Sequence, residues 1–230
     1  MMVNDRMVKV VCLYTGPRRS RNCNPTTQAE VLRVHDVQYE AELEYHGYDV
    51  VFVMNGGQPT PAYLKDWIFA YTRENEGGSF GAFSDAFFKM SFMYDWFFFC
   101  EDDVLVTDPG VFREAVDYMK VNPGVGFVAL APMAKSPVLH SGGGFGVGRM
   151  AALEAVAALH GGRLPFAKNG SYGAMEVAEW QFTGSFKDAG WDLVNLPGVS
   201  PFAENWKDHE SQRENGLGER EGRHVYRVGL

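Results

Sequence analysis

Several features that mark particular classes of protein are scarce or missing in this sequence of 230 residues. Its three cysteines, Cys12, Cys23 and Cys100, are an odd number, and two of them lie within apolar, strand-like runs. We therefore expect buried thiols in a reducing compartment rather than a disulfide framework. The first residues lack the apolar core of a signal peptide, and no apolar run reaches transmembrane length. The expected location is cytoplasmic.

An excess of positive charge is also absent. The chain has 21 Lys and Arg residues against 29 Asp and Glu residues, which gives a formal net charge of −8 at pH 7. Because the phosphate backbone of a nucleic acid requires a basic surface, this balance argues against a protein that binds nucleic-acid polymers. An anionic small ligand would need a local cation, supplied by a metal ion or by a few arginines.

Internal repeats are missing too, and so is a dinucleotide-binding fingerprint, because no strand-turn-helix unit of the required kind precedes the glycine-rich segment 141–149. What the sequence does contain is an alternation of strands and helices. This alternation predicts an α/β domain with a mainly parallel central sheet flanked by helices, whose ligands bind beyond the carboxyl ends of the strands. The predicted strands are 8–14, 49–54, a strand that begins at 96 and ends at the acids 101–103, and 125–130; the predicted helices are about 24–45, 79–90 (with Ser79 as its N-cap), 108–121 and 150–160.

The most informative stretch is 96–106, where five bulky apolar residues run into Glu101, Asp102 and Asp103. Three adjacent carboxylates repel one another, so folding alone does not favour this grouping, whereas a divalent cation with oxygen ligands would offset the repulsion. A solvated acidic loop before the next helix is the alternative interpretation. Other polar residues also follow strand-like runs, and we expect them to converge with the acidic triplet on one cleft: Thr15, Asn55 and Asn75.

The order of these blocks resembles that of GT-A nucleotide-sugar glycosyltransferases, as a divergent member of the large inverting group, similar to family 2, that includes cellulose-synthase-like and rhamnosyl-transferring enzymes. The resemblance covers about residues 8–191. Asn55 stands where the family usually has an aspartate that reads the nucleobase. The matching blocks are the strands 8–15 and 49–55, Asn75-Glu76-Gly77, Glu101-Asp102-Asp103, the glycine-rich strand that ends at Arg149, and Glu179 ahead of Gly190-Trp191.

The resemblance implies a GT-A, Rossmann-like domain over residues 1–210. Its nucleotide-binding half would cover about 1–106 and its acceptor half about 107–210, and a polar tail follows at 211–230. The implied reaction is metal-dependent and inverting, and it moves a sugar from a nucleotide-diphosphate sugar of the UDP or GDP type to a hydroxyl of a saccharide or glycoconjugate.

The resemblance also implies roles for individual residues. Mn²⁺ or Mg²⁺ is assigned to Asp103, with His209 completing the metal site. Glu179 is the candidate base that activates the acceptor hydroxyl, and Glu176, one helical turn earlier, is the reserve; an exposed acid at a helix start is the alternative for Glu179. The residues expected to bind the nucleotide sugar are Thr15, Asn55, Asn75, Glu101, Asp102, Gly143 and Gly144. Three tryptophans are candidates for stacking on the acceptor sugar or for core packing: Trp180, Trp191 and Trp206.

Two other functions remain open. A metal-dependent sugar nucleotidyltransferase shares the α/β layout and the acidic metal site, and it would carry a glycine-rich loop with basic residues near the N-terminus. Residues 15–19, Thr-Gly-Pro-Arg-Arg, match that loop only in part. A non-catalytic module that binds nucleotide sugars is the third reading.

Overall fold

Runs of valine and phenylalanine form the middle strands of the central sheet. The computed structural model describes residues 5–14, 47–56, 69–101, 104–106, 110–130, 133–134, 140–141, 145–168, 172–196 and 225–227. The main sheet consists of β1 (Met7–Tyr14), β2 (Asp49–Asn55), β3 (Phe69–Arg73), β4 (Trp96–Glu101), β6 (Val125–Ala129), β9 (Gly146–Arg149) and β10 (Asp192–Asn195). The shorter strands are β5 (Val104–Val106), β7 (Met133–Ala134), β8 (His140–Ser141) and β11 (Val225–Arg227); the helices are α1 (Gly78–Met90), α2 (Gly110–Val121), α3 (Met150–Leu159) and α4 (Tyr172–Asp188).

The strands of the main sheet lie in the order β10-β6-β9-β4-β1-β2-β3. Strand β9 is antiparallel to both of its neighbours, β4 and β6, and the other neighbouring strands are parallel. The carboxyl ends of six strands therefore meet at one edge of the sheet, which we call the carboxyl edge. Strand β9 begins near this edge, because Gly146 lies opposite Phe99 of β4.

Helices cover both faces of the sheet. Because side chains alternate along a strand, Val8, Val10 and Cys12 of β1 lie on the face that packs against α1, α3 and α4. Met7 lies on the other face, in the cluster that includes α2. Strand β4 is buried on both faces along residues 96–100, which explains why its sequence is continuously apolar rather than alternating.

Most of the predicted elements in the described ranges are confirmed. The predicted strands 8–14, 49–54 and 125–130 are β1, β2 and β6. The stripe of Phe80, Phe83, Phe87 and Met90 on α1 is buried, as are the thiols of Cys12 and Cys100. The predicted helix over 24–45 lies outside the described residues. None of the helices in the described ranges is both long enough and apolar enough to span a membrane.

Strand β4 ends at Glu101, the first of the three acids predicted to end it, and the separate strand β5 pairs with β11, from the predicted tail. One prediction needs correction. Ser79 is not the N-cap of α1. The N-cap is Gly77, whose φ of 79° lies in the left-handed region. Ser79 lies inside the first turn of the helix, and its hydroxyl bonds to Glu101 of β4 instead of capping the helix. The division of the chain into two halves stays a prediction.

Candidate functional site

The carboxyl edge brings together polar residues that are far apart in sequence. Asn55 ends β2, Arg73 ends β3 and Glu101 ends β4. The last residues of β1, β2 and β3 lie side by side, because Tyr14 pairs with Asn55 and Asn55 pairs with Arg73. On the other side of β1, Glu101 of β4 pairs with Cys12, which is two residues before the end of β1. The first turn of α1 lies at the same edge, because its residues bond to both Asn55 and Glu101. Asn55, Asn75 and Glu101 therefore lie at one edge of the sheet as predicted, and their role in a shared ligand-binding cleft stays a prediction.

Asn55 is the centre of a hydrogen-bond network at this edge. Its side chain is only 1% exposed. Its Oδ1 accepts a 2.7 Å hydrogen bond from Arg73 Nη1, and its Nδ2 donates to Asn75 Oδ1 at 2.9 Å and to the carbonyl of Gly78 at 3.0 Å. These bonds hold the connection between β3 and α1 against the end of β2. The assignment of Asn55 and Asn75 to nucleotide-sugar binding stays a prediction.

Close packing at the start of α1 depends on glycine. A Cβ added at Gly77 would lie 2.4 Å from Cδ2 of Phe166, and the positive φ of Gly77 also favours glycine. A Cβ at Gly81 would lie 1.9 Å from the carbonyl oxygen of Glu76. The Asn75-Glu76-Gly77 motif thus sets the position at which α1 begins, and the unpaired N–H groups of a helix start favour a negatively charged ligand.

Ser79 links this helix to the end of β4. It is buried, and its hydroxyl donates a hydrogen bond to Oε1 of Glu101, which is half-buried. A hydrogen bond to a carboxylate is stronger than one between neutral groups, so Ser79 fixes the direction of the Glu101 side chain. Sequence reasoning missed this role, and it also missed Arg73. Both residues lie within four positions of Asn75, a candidate ligand-binding residue, and this closeness in sequence could have identified them as candidates.

Both predicted metal ligands, Asp103 and His209, lie outside the described residues, and Glu101 is the described member of the acidic triplet. Glu101 supplies a carboxylate oxygen, the kind of ligand that Mg²⁺ and Mn²⁺ prefer. Within the described residues, no three His, Cys, Asp or Glu side chains come together as a metal cluster. Several of the predicted ligand-binding residues lie outside the described residues: Thr15, Asp102, Asp103, Gly143, Gly144 and His209.

The orientation of α4 bears on the candidate base. The ring of Phe186 lies 5.3 Å from that of Phe127, and Phe127 occupies the same height along the strands as Phe97, near the start of β4. The ring of Phe182, one turn earlier on α4, lies 5.3 Å from Phe80 at the start of α1 and 6.4 Å from Phe99, closer to the end of β4. The helix therefore approaches the carboxyl edge toward its N-terminus. Glu179 lies about one turn beyond Phe182 in that direction and is half-buried. Glu176 belongs to the same helix, and its side chain lies outside the described part.

Two of the described tryptophans, Trp96 and Trp191, lie away from the carboxyl edge. The guanidinium of Arg149 lies 5.5 Å from the ring of Trp96 and 5.5 Å from that of Trp191, and Arg149 is opposite Trp96 at the start of β4. Trp191 thus lies at the sheet edge remote from Glu101 and packs against the core, which is the second of the two roles expected for it. Trp180 is half-buried on α4, and Trp206 lies outside the described residues.

No protein-family model matches this chain, and no curated protein matches it. Among solved structures, the chain is similar to CMP:2-keto-3-deoxy-manno-octonic acid synthetase complexed with CTP. The two share 13% sequence identity with a TM-score of 0.50, and the likeness covers 91% of this chain and 98% of that chain. At this identity the likeness shows the fold alone. It confirms the predicted Rossmann-like α/β fold and gives no support to membership of the inverting glycosyltransferase family.

Proposed function

We propose that the protein is a metal-dependent enzyme of nucleotide-sugar chemistry, and that it transfers a nucleotidyl group from a nucleoside triphosphate to a sugar. The observation that carries this proposal is the Glu101 carboxylate, held by Ser79 at the carboxyl edge beside the start of α1. Ligands of open α/β sheets bind at this edge. The fold likeness favours nucleotidyl transfer over the glycosyl transfer suggested by the sequence blocks, since the similar structure is a synthetase that was solved with CTP.

The reaction needs few protein groups. An oxygen of the sugar attacks the α-phosphorus of the triphosphate, the bond from that phosphorus to the bridging oxygen breaks, and pyrophosphate leaves with the electron pair. A sugar phosphate or carboxylate attacks as the anion, whereas a hydroxyl gives up its proton to a base or to solvent. When bound, a divalent cation would supply positive charge against the charge that develops on the phosphates. Glu101 would hold this cation together with Asp102 and Asp103, with His209 as a further ligand. The first turn of α1 would face the phosphates, and Thr15 with the arginines that follow it would contact the triphosphate.

Glycosyl transfer is the second candidate, and the position of Glu179 favours it. In that reaction the base removes the proton of an acceptor hydroxyl, the oxygen attacks the anomeric carbon, and the nucleoside diphosphate leaves from the opposite side with inversion. Glu179 lies on the part of α4 that points toward the carboxyl edge. A hydroxyl that attacks phosphorus also has to lose its proton to a base. Loss of turnover in Glu179→Gln therefore supports glycosyl transfer only in combination with the release of a nucleoside diphosphate by the wild type.

The two reactions release different products, and one assay separates them. The protein is incubated with Mn²⁺ or Mg²⁺ and either a panel of nucleoside triphosphates with free sugars, sugar acids and sugar 1-phosphates, or a panel of nucleotide-diphosphate sugars with saccharide acceptors. Release of pyrophosphate from the first panel indicates nucleotidyl transfer, and release of nucleoside diphosphate from the second indicates glycosyl transfer. A protein that releases neither product and binds neither class of nucleotide contradicts the proposal.

A pair of variants tests the carboxyl edge itself. Glu101→Gln removes the charge that faces the cation, and we expect turnover to fall roughly a hundredfold or more because a metal ligand is lost. Glu114→Gln, at an exposed position of α2 on the other face of the sheet, is the matched control and should keep its activity. Equal activities of the two variants would place the site elsewhere.

A further inference from the structure

A concave region lies beside the carboxyl edge, and we call it the side cleft. It is formed between Arg73 and the first half of α1 on one side and the segment 160–168 with Gln181 of α4 on the other. The space available is about 570 Å³, which is enough for a small metabolite. None of the residues assigned from the sequence to a base, a metal or a nucleotide lines it.

The side cleft is basic, although the protein as a whole carries a net charge of −8. Arg73, Arg163 and Lys168 line it, together with Glu76 and Asp85. Lys89 Nζ lies 2.8 Å from one oxygen of Asp85, and Arg163 Nη1 lies 3.7 Å from the other. The charge of Asp85 is therefore offset largely by Lys89, which is not one of the lining residues.

Arg73 makes its hydrogen bonds to neutral groups, and it also attracts the carboxylate of Asp85 without a hydrogen bond between them. Its two nitrogens donate to Oδ1 of Asn55 at 2.7 Å and to the backbone carbonyl of Glu76 at 2.9 Å, and both acceptors are neutral. These bonds fix the plane of the guanidinium. Gly81 lets it lie against α1, because a Cβ there would come within 3.2 Å of Arg73 Nη1. A planar guanidinium held in this way is suited to a phosphate or a carboxylate.

The opposite wall is also held in place. Ser84 Oγ donates to the carbonyl of Leu164 at 3.0 Å, and His160 Nε2 lies 2.7 Å from Ser185 Oγ on α4. Phe166 packs over Gly77 so closely that only glycine fits there. The segment that carries Arg163 and Lys168 is thus anchored to α1 and to α4, so its backbone needs little ordering when an anion binds.

We propose that the side cleft is a binding site for a small oxyanion, namely a phosphate or carboxylate group of a metabolite, held by Arg73, Arg163 and Lys168. The guanidinium of Arg163 lies 4.1 Å from the ring of Phe88, so its position is set before an anion arrives. Lys168 is exposed at the mouth of the cleft and adds a mobile positive charge. The site does not depend on the proposed nucleotidyl transfer.

The test uses the full chain, labelled for amide NMR, and titrates it with inorganic phosphate and, separately, with succinate at constant ionic strength. We expect saturable shifts of the amides of Gly81, Leu164 and Lys168 with at least one of the two anions. Tighter binding of phosphate would point to a phosphate ester as the natural ligand, and tighter binding of succinate to a carboxylate. Shifts no larger than those produced by chloride at the same ionic strength would overturn the proposal.

Three variants locate the binding. Arg163→Gln and Lys168→Gln should each weaken binding of the effective anion at least about fivefold, since each removes one charged donor. Lys168→Gln changes an exposed residue, so it remains informative if Arg163→Gln folds poorly. Arg113→Gln, on α2 beside Asp5, removes a cation on the other face and should leave the affinity unchanged. Unchanged affinity in both cleft variants would refute the site. Pyrophosphate release and Mn²⁺ affinity, measured on the same variants, report on the carboxyl edge separately.

Discussion

The network around Asn55 makes a prediction that runs against the family resemblance. The glycosyltransferases that the sequence blocks resemble usually have an aspartate at this position, so the resemblance alone would favour Asn55→Asp. The structure predicts destabilisation instead. Asn55 Nδ2 donates to two oxygens, Asn75 Oδ1 at 2.9 Å and the Gly78 carbonyl at 3.0 Å. In the variant, a carboxylate oxygen would face both of these acceptors.

The magnitude follows from the bonds lost and gained. Each lost hydrogen bond costs about 1 kcal/mol, and leaving the buried Gly78 carbonyl without its donor adds about 1 to 3 kcal/mol. Against this, the bond from Arg73, at 2.7 Å, becomes an ion pair in a partly buried setting, which returns about 1 to 2 kcal/mol. We therefore expect a net loss of about 2 kcal/mol in the free energy of unfolding.

Urea denaturation followed by circular dichroism measures this loss as a lower midpoint with an unchanged slope. Asn122→Asp is a graded control, since Asn122 Nδ2 donates a single hydrogen bond, to the carbonyl of Tyr118 at 2.8 Å, and should cost only about 1 kcal/mol. If Asn55→Asp were as stable as the wild type, the amide of Asn55 would have to be oriented the other way, and the network described here would be wrong.

Two further predictions concern the edge and the core. Ser79→Ala should weaken Mn²⁺ binding roughly tenfold by freeing the Glu101 side chain, whereas Ser84→Ala, at another buried serine of α1, should leave it unchanged; equal Mn²⁺ affinities in a calorimetric titration would contradict the role of Ser79. Burial lowers the pKa of Lys9 from 10.5 to about 8, so the unfolded chain binds more protons between these values and stability rises with pH there. From pH 7 to pH 10 the wild type should therefore gain about 2 kcal/mol relative to Lys9→Met in urea denaturation, and a difference that does not change with pH would contradict the burial of a charged amine.

The strands and their convergence could be predicted from the sequence because both follow from simple rules. A strand covered on both faces has to be continuously apolar, as β4 is, and parallel strands deliver the residues that end them to one edge. For this reason Asn55 and Glu101 could be assigned to the same edge of the sheet, although they are 46 positions apart in the sequence.

The roles of single polar side chains could not be predicted in the same way. A serine near a helix start usually caps it, and the fact that Ser79 bonds to Glu101 depends on how α1 packs against β4. Arg149 and Trp191 show the same limit. The glycine-rich strand could be recognised, but its antiparallel direction, which carries Arg149 to the edge remote from Glu101, depends on sheet topology alone.

The charge distribution explains how an acidic protein could handle anionic substrates. Any anionic ligand of this acidic protein needs a local cation. The described residues supply one group of cationic side chains beside α1 and, at the end of β4, one carboxylate that could hold a metal cation. Arg73 lies between the two, since it bonds to Asn55 at the carboxyl edge and also lines the side cleft. An anion drawn to Arg73 would weaken its bond to Asn55, and the position of Asn75 would respond. Occupancy of the side cleft and nucleotide binding at the edge should therefore influence each other through Arg73, and this influence should be reciprocal.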